Sequence, residues 1–99
     1  MASNKDYLIY ILDLLREVSG ITYKRMMGEY ILYKDNIIFG GIYDNRFLVK
    51  KTPYTDSLKL KEIIPYPTSK GMYLVSSENS EEIAELVSSI IKDIKNQNH

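Results

Sequence analysis

The first clear period in the chain is helical. Tyr7, Ile11, Leu14, Leu15 and Val18 recur at i, i+4, i+7, i+8 and i+11, an apolar stripe that Leu8 and Leu12 widen. Ser3 and Asp6 have capping-box spacing, with Asp in place of the usual Glu or Gln, and Gly20 supplies a stop. The pattern predicts a helix over about residues 4–19. From Ile21 the period becomes strand-like. Arg25–Tyr33 is aromatic and β-branched and reads as one strand, with Gly28 marking a bulge or a close backbone approach. Asp35-Asn36 and Asp44-Asn45 suit tight turns, because both residue types tolerate positive φ. They separate strands over about 37–43 and 46–50, completing a three-stranded antiparallel meander. Gly40 and Gly41 in mid-strand imply a neighbour packed close, most simply a helix.

Thr52-Pro53 opens a second helix, with Thr as cap and Pro in the first turn, running to about Glu62. Ile63–Pro67 is held extended by its two prolines and belongs at a sheet edge or just outside it. Gly71 allows a turn into a further strand, Met72–Val75. Asn79 or Ser80 then caps a last helix. There Ile83, Leu86, Val87, Ile90, Ile91 and Ile94 form an i, i+3, i+4 stripe, with acids in the first turn and lysines near the end. The tail Asn96–His99 reads as frayed. Two long one-faced helices and a meander can bury their apolar sides only against one another. The expected fold is therefore α+β, a two-layer sandwich with an antiparallel sheet and helices on one face, in the order α-β(3)-α-β(2)-α. One domain spanning residues 1–99 suffices for a chain of this length.

Composition narrows the function more by what it lacks. There is no cysteine, and the one histidine, His99, is the last residue. The usual zinc sets and the Ser-His-Asp or Cys-His arrangements are therefore out of reach at an ordered position. No phosphate-cradling glycine motif occurs, and Asp35 and Asp44 are explained by their turns. The expectation is a protein with no catalytic residues, no metal and no cofactor. No apolar run approaches the roughly 20 residues of a membrane span. Absence of cysteine and of a leader-like start makes the cytoplasm the expected location.

Thirteen basic residues balance 13 acidic ones. Residues 46–70 nonetheless carry Arg46, Lys50, Lys51, Lys59, Lys61 and Lys70 against Asp56 and Glu62, while residues 78–99 are acidic. The basic middle offers Lys50, Lys51, Lys59 and Lys61 as candidate interaction residues, for a protein or, more weakly, for nucleic acid. Nine tyrosines are explained first by strand propensity, and an exposed subset would suit an interface. Arg25 is a candidate for a structural ion pair. A homodimer through a sheet edge is a further expectation.

Arg25-Met26-Met27-Gly28-Glu29-Tyr30-Ile31-Leu32-Tyr33-Lys34-Asp35 resembles the opening signature of the N-terminal domain of the TfoX/Sxy competence regulators. That family typically reads Arg-Met-Phe-Gly-Gly-Tyr-Gly-Leu-Tyr. Phe39–Asp44, the lysines after Leu48, Pro65-Tyr66-Pro67 and Gly71-Met72-Tyr73 extend the resemblance over nearly the whole chain. Met27, Glu29 and Ile31 stand where the family has phenylalanine and two glycines. The resemblance implies a stand-alone N-terminal domain with the same α-β(3)-α-β(2)-α order. It also implies a regulatory module that binds a protein partner of the transcription machinery, with Arg25, Met26, Gly28 and Tyr30 added to the candidate interaction residues. The alternatives are weak nucleic-acid binding through residues 46–70 and small-molecule binding.

Overall fold

The structure is a computed structural model that describes residues 2–67 and 69–97. Its elements are α1 (Lys5–Leu14), β1 (Ile21–Met26), β2 (Glu29–Lys34), β3 (Ile37–Ile42), β4 (Phe47–Val49), α2 (Pro53–Ser57), β5 (Glu62–Ile63), β6 (Met72–Leu74) and α3 (Ser80–Gln97). All strands pair antiparallel in one open sheet of order β1-β2-β3-β4-β6-β5. The α+β class and the antiparallel sheet with its helices agree with the sequence reading.

The order differs by one strand. Arg25–Tyr33 is not a single bulged strand, because Met27 and Gly28 both adopt positive φ, 53° and 82°, and close a two-residue hairpin between β1 and β2. Such a turn matches the right-handed twist of the strands it joins. The same geometry recurs at Asp35-Asn36 and at Asp44-Asn45. The bulge in the sheet lies elsewhere. Leu32 pairs with Gly40 but Tyr33 pairs with Ile38, so Phe39 is the extra residue on β3.

The helices also depart from their sequence bounds. The cap of α1 is Asn4, whose side chain accepts from the Tyr7 N–H at 2.8 Å, rather than Ser3. After Leu14 the chain tightens into turns with Arg16 N–H bonded to Asp13 O and Val18 N–H to Leu15 O. Leu15 and Val18 still reach the core through these turns. Helix α2 stops at Ser57, because Lys59 takes a φ of 56° and turns the chain away. Asn79 caps α3, accepting from Glu82 N–H at 2.9 Å. Asn96 and Gln97 are helical rather than frayed, and Asn98 and His99 lie outside the described residues.

Cross-strand partners share a face of the sheet. One face presents Tyr30, Leu32, Ile42, Phe47 and Val49, which form a single buried core with Leu8, Ile11 and Leu15 of the first helical segment and with Ile83, Val87 and Ile90 of α3. Each such side chain contributes about 1.5–3 kcal/mol when fully buried. Helix α2 is fastened to α3 by the Tyr54 N–H, which donates to Asp93 Oδ2 at 2.8 Å. The other face carries the row Ile31, Gly41, Leu48 and Leu74, with Tyr33, Ile38 and Met72 beside it. No described helix is long and apolar enough to cross a membrane.

Candidate functional site

The face of the sheet away from the helices is only partly covered. The chain leaving β5 folds back across it, held by a turn in which Ser69 N–H donates to Tyr66 O at 3.0 Å and Ser69 Oγ donates to the same oxygen at 2.8 Å. This sets the Tyr66 ring edge-on to that of Tyr43, centroids 6.0 Å apart and planes at 71°. The Tyr43 ring lies against Gly41, where a side chain would collide with it, while the Gly40 backbone approaches β4. The atoms nearest a β-carbon at the two glycines belong to adjacent strands and a tyrosine ring, while α3 packs close against β3, as expected.

Tyr43, Pro65 and Tyr66 divide the face into two open hollows. One, of about 660 Å³, is lined by Met26, Met27, Glu29 and Ile31 together with those three residues. The other, of about 410 Å³, runs on past Ile38 and Met72 to Lys50, Lys51 and Lys70. Together they form a trough that is apolar at the Met26–Met27 end and basic at the other. Burial pushes the Tyr43 hydroxyl up to about 12, with the neighbouring Tyr66 adding to the shift. The hydroxyl therefore stays neutral at ordinary pH. Lys51 is partly neutralised by its ion pair with Glu62, and its ammonium sits 5.5 Å from the Tyr73 ring centre.

At the apolar end Met27 is 96% exposed and held in the left-handed region. The hairpin carrying it is anchored from two sides. The Ser3 N–H donates to Gly28 O at 3.0 Å, and Ser3 Oγ donates to Glu29 Oε1 at 2.7 Å. Glu29 also accepts from the Asp44 N–H at 3.1 Å, so one carboxylate links two hairpin tips and the N-terminal segment.

The residues singled out from sequence divide between different surfaces. Met26 lines the apolar hollow, Gly28 forms the turn beside it, and Lys50 and Lys51 line the basic end. Tyr30 does not belong to the trough: it is cross-strand partner to Arg25, shares the helix-side face with it and is buried. Arg25 makes no ion pair among the described residues. Its guanidinium lies 5.9 Å from the Tyr30 ring centre instead. Lys59 and Lys61 sit on the connection from α2 to β5 and line neither hollow. Sequence reasoning passed over Met27, Ile38 and Tyr43 as site residues. The available signal was two residues, Met27-Gly28, between two strand-like runs, which is hairpin spacing. Among the described residues no three His, Cys, Asp or Glu side chains gather as a metal site.

No family model matches the chain. It is 34% identical over 84 residues to the uncharacterized 12.7 kDa protein in trpE 5′region of Spirochaeta aurantia. The similarity covers 83% of this chain and 72% of the spirochaete protein.

Proposed function

The chain belongs to the family of the 12.7 kDa Spirochaeta aurantia protein, and we propose that it is a non-catalytic regulatory module that binds another protein through the trough opposite its helices. The observation that carries this reading is Met27. Two of the three tight hairpin turns use Asp-Asn, residues that accept positive φ. The third places a methionine there, at a conformational cost of about 1–2 kcal/mol, with its thioether almost wholly in solvent. An unbranched, polarizable side chain held out at the lip of an apolar hollow suits adaptable contact with a partner's apolar groups. Lys50, Lys51 and Lys70 at the other end favour carboxylates on the same partner.

The resemblance to the N-terminal domain of TfoX/Sxy regulators supports the regulatory part of the reading, with a cytoplasmic partner from the transcription machinery. Nucleic-acid binding has less support, since Lys59 and Lys61 line neither hollow and Lys51 is paired with Glu62. The test is affinity capture from the source cell with wild type, Met27→Asn, Tyr66→Ala and the remote control Glu81→Gln. A protein retained by wild type and control but lost by both trough variants is expected. Capture that is indifferent to the trough, or salt-sensitive binding of duplex DNA instead, would overturn the reading.

A further inference from the structure

Strands β1 and β5 are the two edges of the sheet. Strand β5 is two residues long and Pro65 follows it closely, so it offers little to pair with. Strand β1 is six residues long, and all but Ile21 are exposed. The phase of its hydrogen bonding follows from its ends. A two-residue turn makes Met26–Glu29 a bonded pair, and the Asp35 N–H to Gly20 O bond, 3.0 Å, sets the same phase beyond Ile21. Even-numbered residues therefore bond to β2, and Ile21, Tyr23 and Arg25 aim their N–H and C=O groups away from the sheet.

The side chains along this edge have a pattern of their own. Lys24 projects on the trough side and Arg25 on the helix side, with no carboxylate anywhere in β1. They are flanked by Tyr23, 44% exposed, and Met26, 49% exposed. A second copy is a poor match. A twofold antiparallel pairing centred on residue 24 or 25 opposes like charges directly, and one centred on Tyr23 still gathers four cations. Edge lysines are a common device against such self-pairing.

We propose that β1 accepts an extended acidic segment of another protein as a seventh strand. Its four central residues follow the pattern apolar–acid–acid–apolar, opposite Met26, Arg25, Lys24 and Tyr23. The backbone groups of Tyr23 and Arg25 supply the hydrogen bonds, and the two cations select the sequence, one on each face. The inference rests on the protein-binding reading above but uses the backbone edge of β1, which adjoins the trough at Met26 and lies outside its lining at Tyr23, Lys24 and Arg25.

The experiment is an NMR titration of the full chain with the capped hexapeptide TLEEFT. The expected result is a downfield shift and several-fold slower exchange of the Tyr23 and Arg25 amides. The capped peptide TLKKFT should bind at least about tenfold more weakly. TLEEFT N-methylated at the two amides that would face β1 should not bind. A Lys24→Glu/Arg25→Glu variant, altered only at exposed positions, should prefer TLKKFT. Absence of binding, or shifts confined to Ile31, Tyr43 and Met72 in the trough, would overturn the inference. So would a doubled solution mass with the same amides protected before any peptide is added, which would assign the edge to a second copy. None of these results decides the capture experiment with trough variants, so the two readings can fail separately.

Discussion

The ring of Tyr43 rests on Gly41: a β-carbon at that glycine would come within 2.7 Å of Tyr43 Cε2 and 2.6 Å of the Tyr30 carbonyl oxygen. The first neighbour is a side chain that could move, whereas the second is backbone in the adjacent strand. We expect Gly41→Ala to destabilise the fold by about 1–3 kcal/mol, the range for overpacking a close-fitted site. Denaturant unfolding would measure it. Because the Tyr30 oxygen is fixed, placing Gly41→Ala in a Tyr43→Ala background should recover only part of the loss. Full recovery would mean that the ring alone forbids a side chain there.

The raised ionisation of Tyr43 gives a pH dependence with a definite sign. In the unfolded chain the phenol ionises near 10, while in the fold burial holds it to about 12. The neutral form is therefore favoured by folding. Its stabilisation is complete below pH 10 and is lost as pH rises through 12. Tyr7, Tyr10 and Tyr73 are raised as well, through burial for the first and through bonds to Glu78 and Asp56 for the others. Stability should thus fall between pH 10 and 12 in wild type and fall less steeply in Tyr43→Phe. A spectrophotometric titration should show one late phenol that this variant lacks. Equal slopes would place the buried hydroxyl elsewhere.

Met27 should separate stability from binding. Asn adopts positive φ more readily than methionine and is the favoured partner of glycine in this turn. Met27→Asn should raise stability by about 0.5–1 kcal/mol while weakening partner capture. Denaturation midpoints and capture yield, taken on the same preparation, would check both. A variant that gains stability with no loss of capture would remove methionine from the docking surface.

The same residue shows where sequence reasoning stops. The stripe of α3 was legible because six apolar positions at i, i+3 and i+4 admit one helical face, and its Asn79 cap follows from local chemistry. The Asp-Asn turns were legible for the same reason. Met27-Gly28 was not, since a methionine in a left-handed turn contradicts its own propensity, and β1 and β2 therefore merged into one expected strand. Helix α1 was over-extended because Leu15 and Val18 keep facing the core through tight turns that preserve the apolar spacing. The trough was out of reach for a different reason. It brings Met26 and Ile31, Ile38 and Lys50, and Tyr66 and Met72 onto one surface through sheet pairing and a loop that folds back, and no local period encodes such a meeting. The sequence reading did name Met26, Lys50 and Lys51, but it could not tell that Tyr30 points to the opposite face until register was known.

Glu29 offers a last measurable consequence, because it stands where the resembled family has glycine. Its carboxylate accepts from Ser3 Oγ and from the Asp44 N–H, and the Ser3 oxygen in turn accepts from the Asn45 N–H at 3.0 Å. Two hairpin tips and the segment before α1 are thereby joined through three charge-assisted or relayed bonds. Glu29→Ala should cost about 1–2 kcal/mol, somewhat below the range for bonds to a charged acceptor because the site is only half-buried. Ser3→Ala should cost less alone, and the pair should be non-additive, with a coupling of about 0.5 kcal/mol or more. Amide exchange at Asp44 and Asn45 should quicken in both single variants. If the double variant loses the plain sum of the two, the network is not one unit and the Met27 tip is held by the sheet and the Ser3–Gly28 backbone bond without these side chains. Tip mobility should then be unchanged in Glu29→Ala, which the line widths of the Met27 methyl would reveal directly.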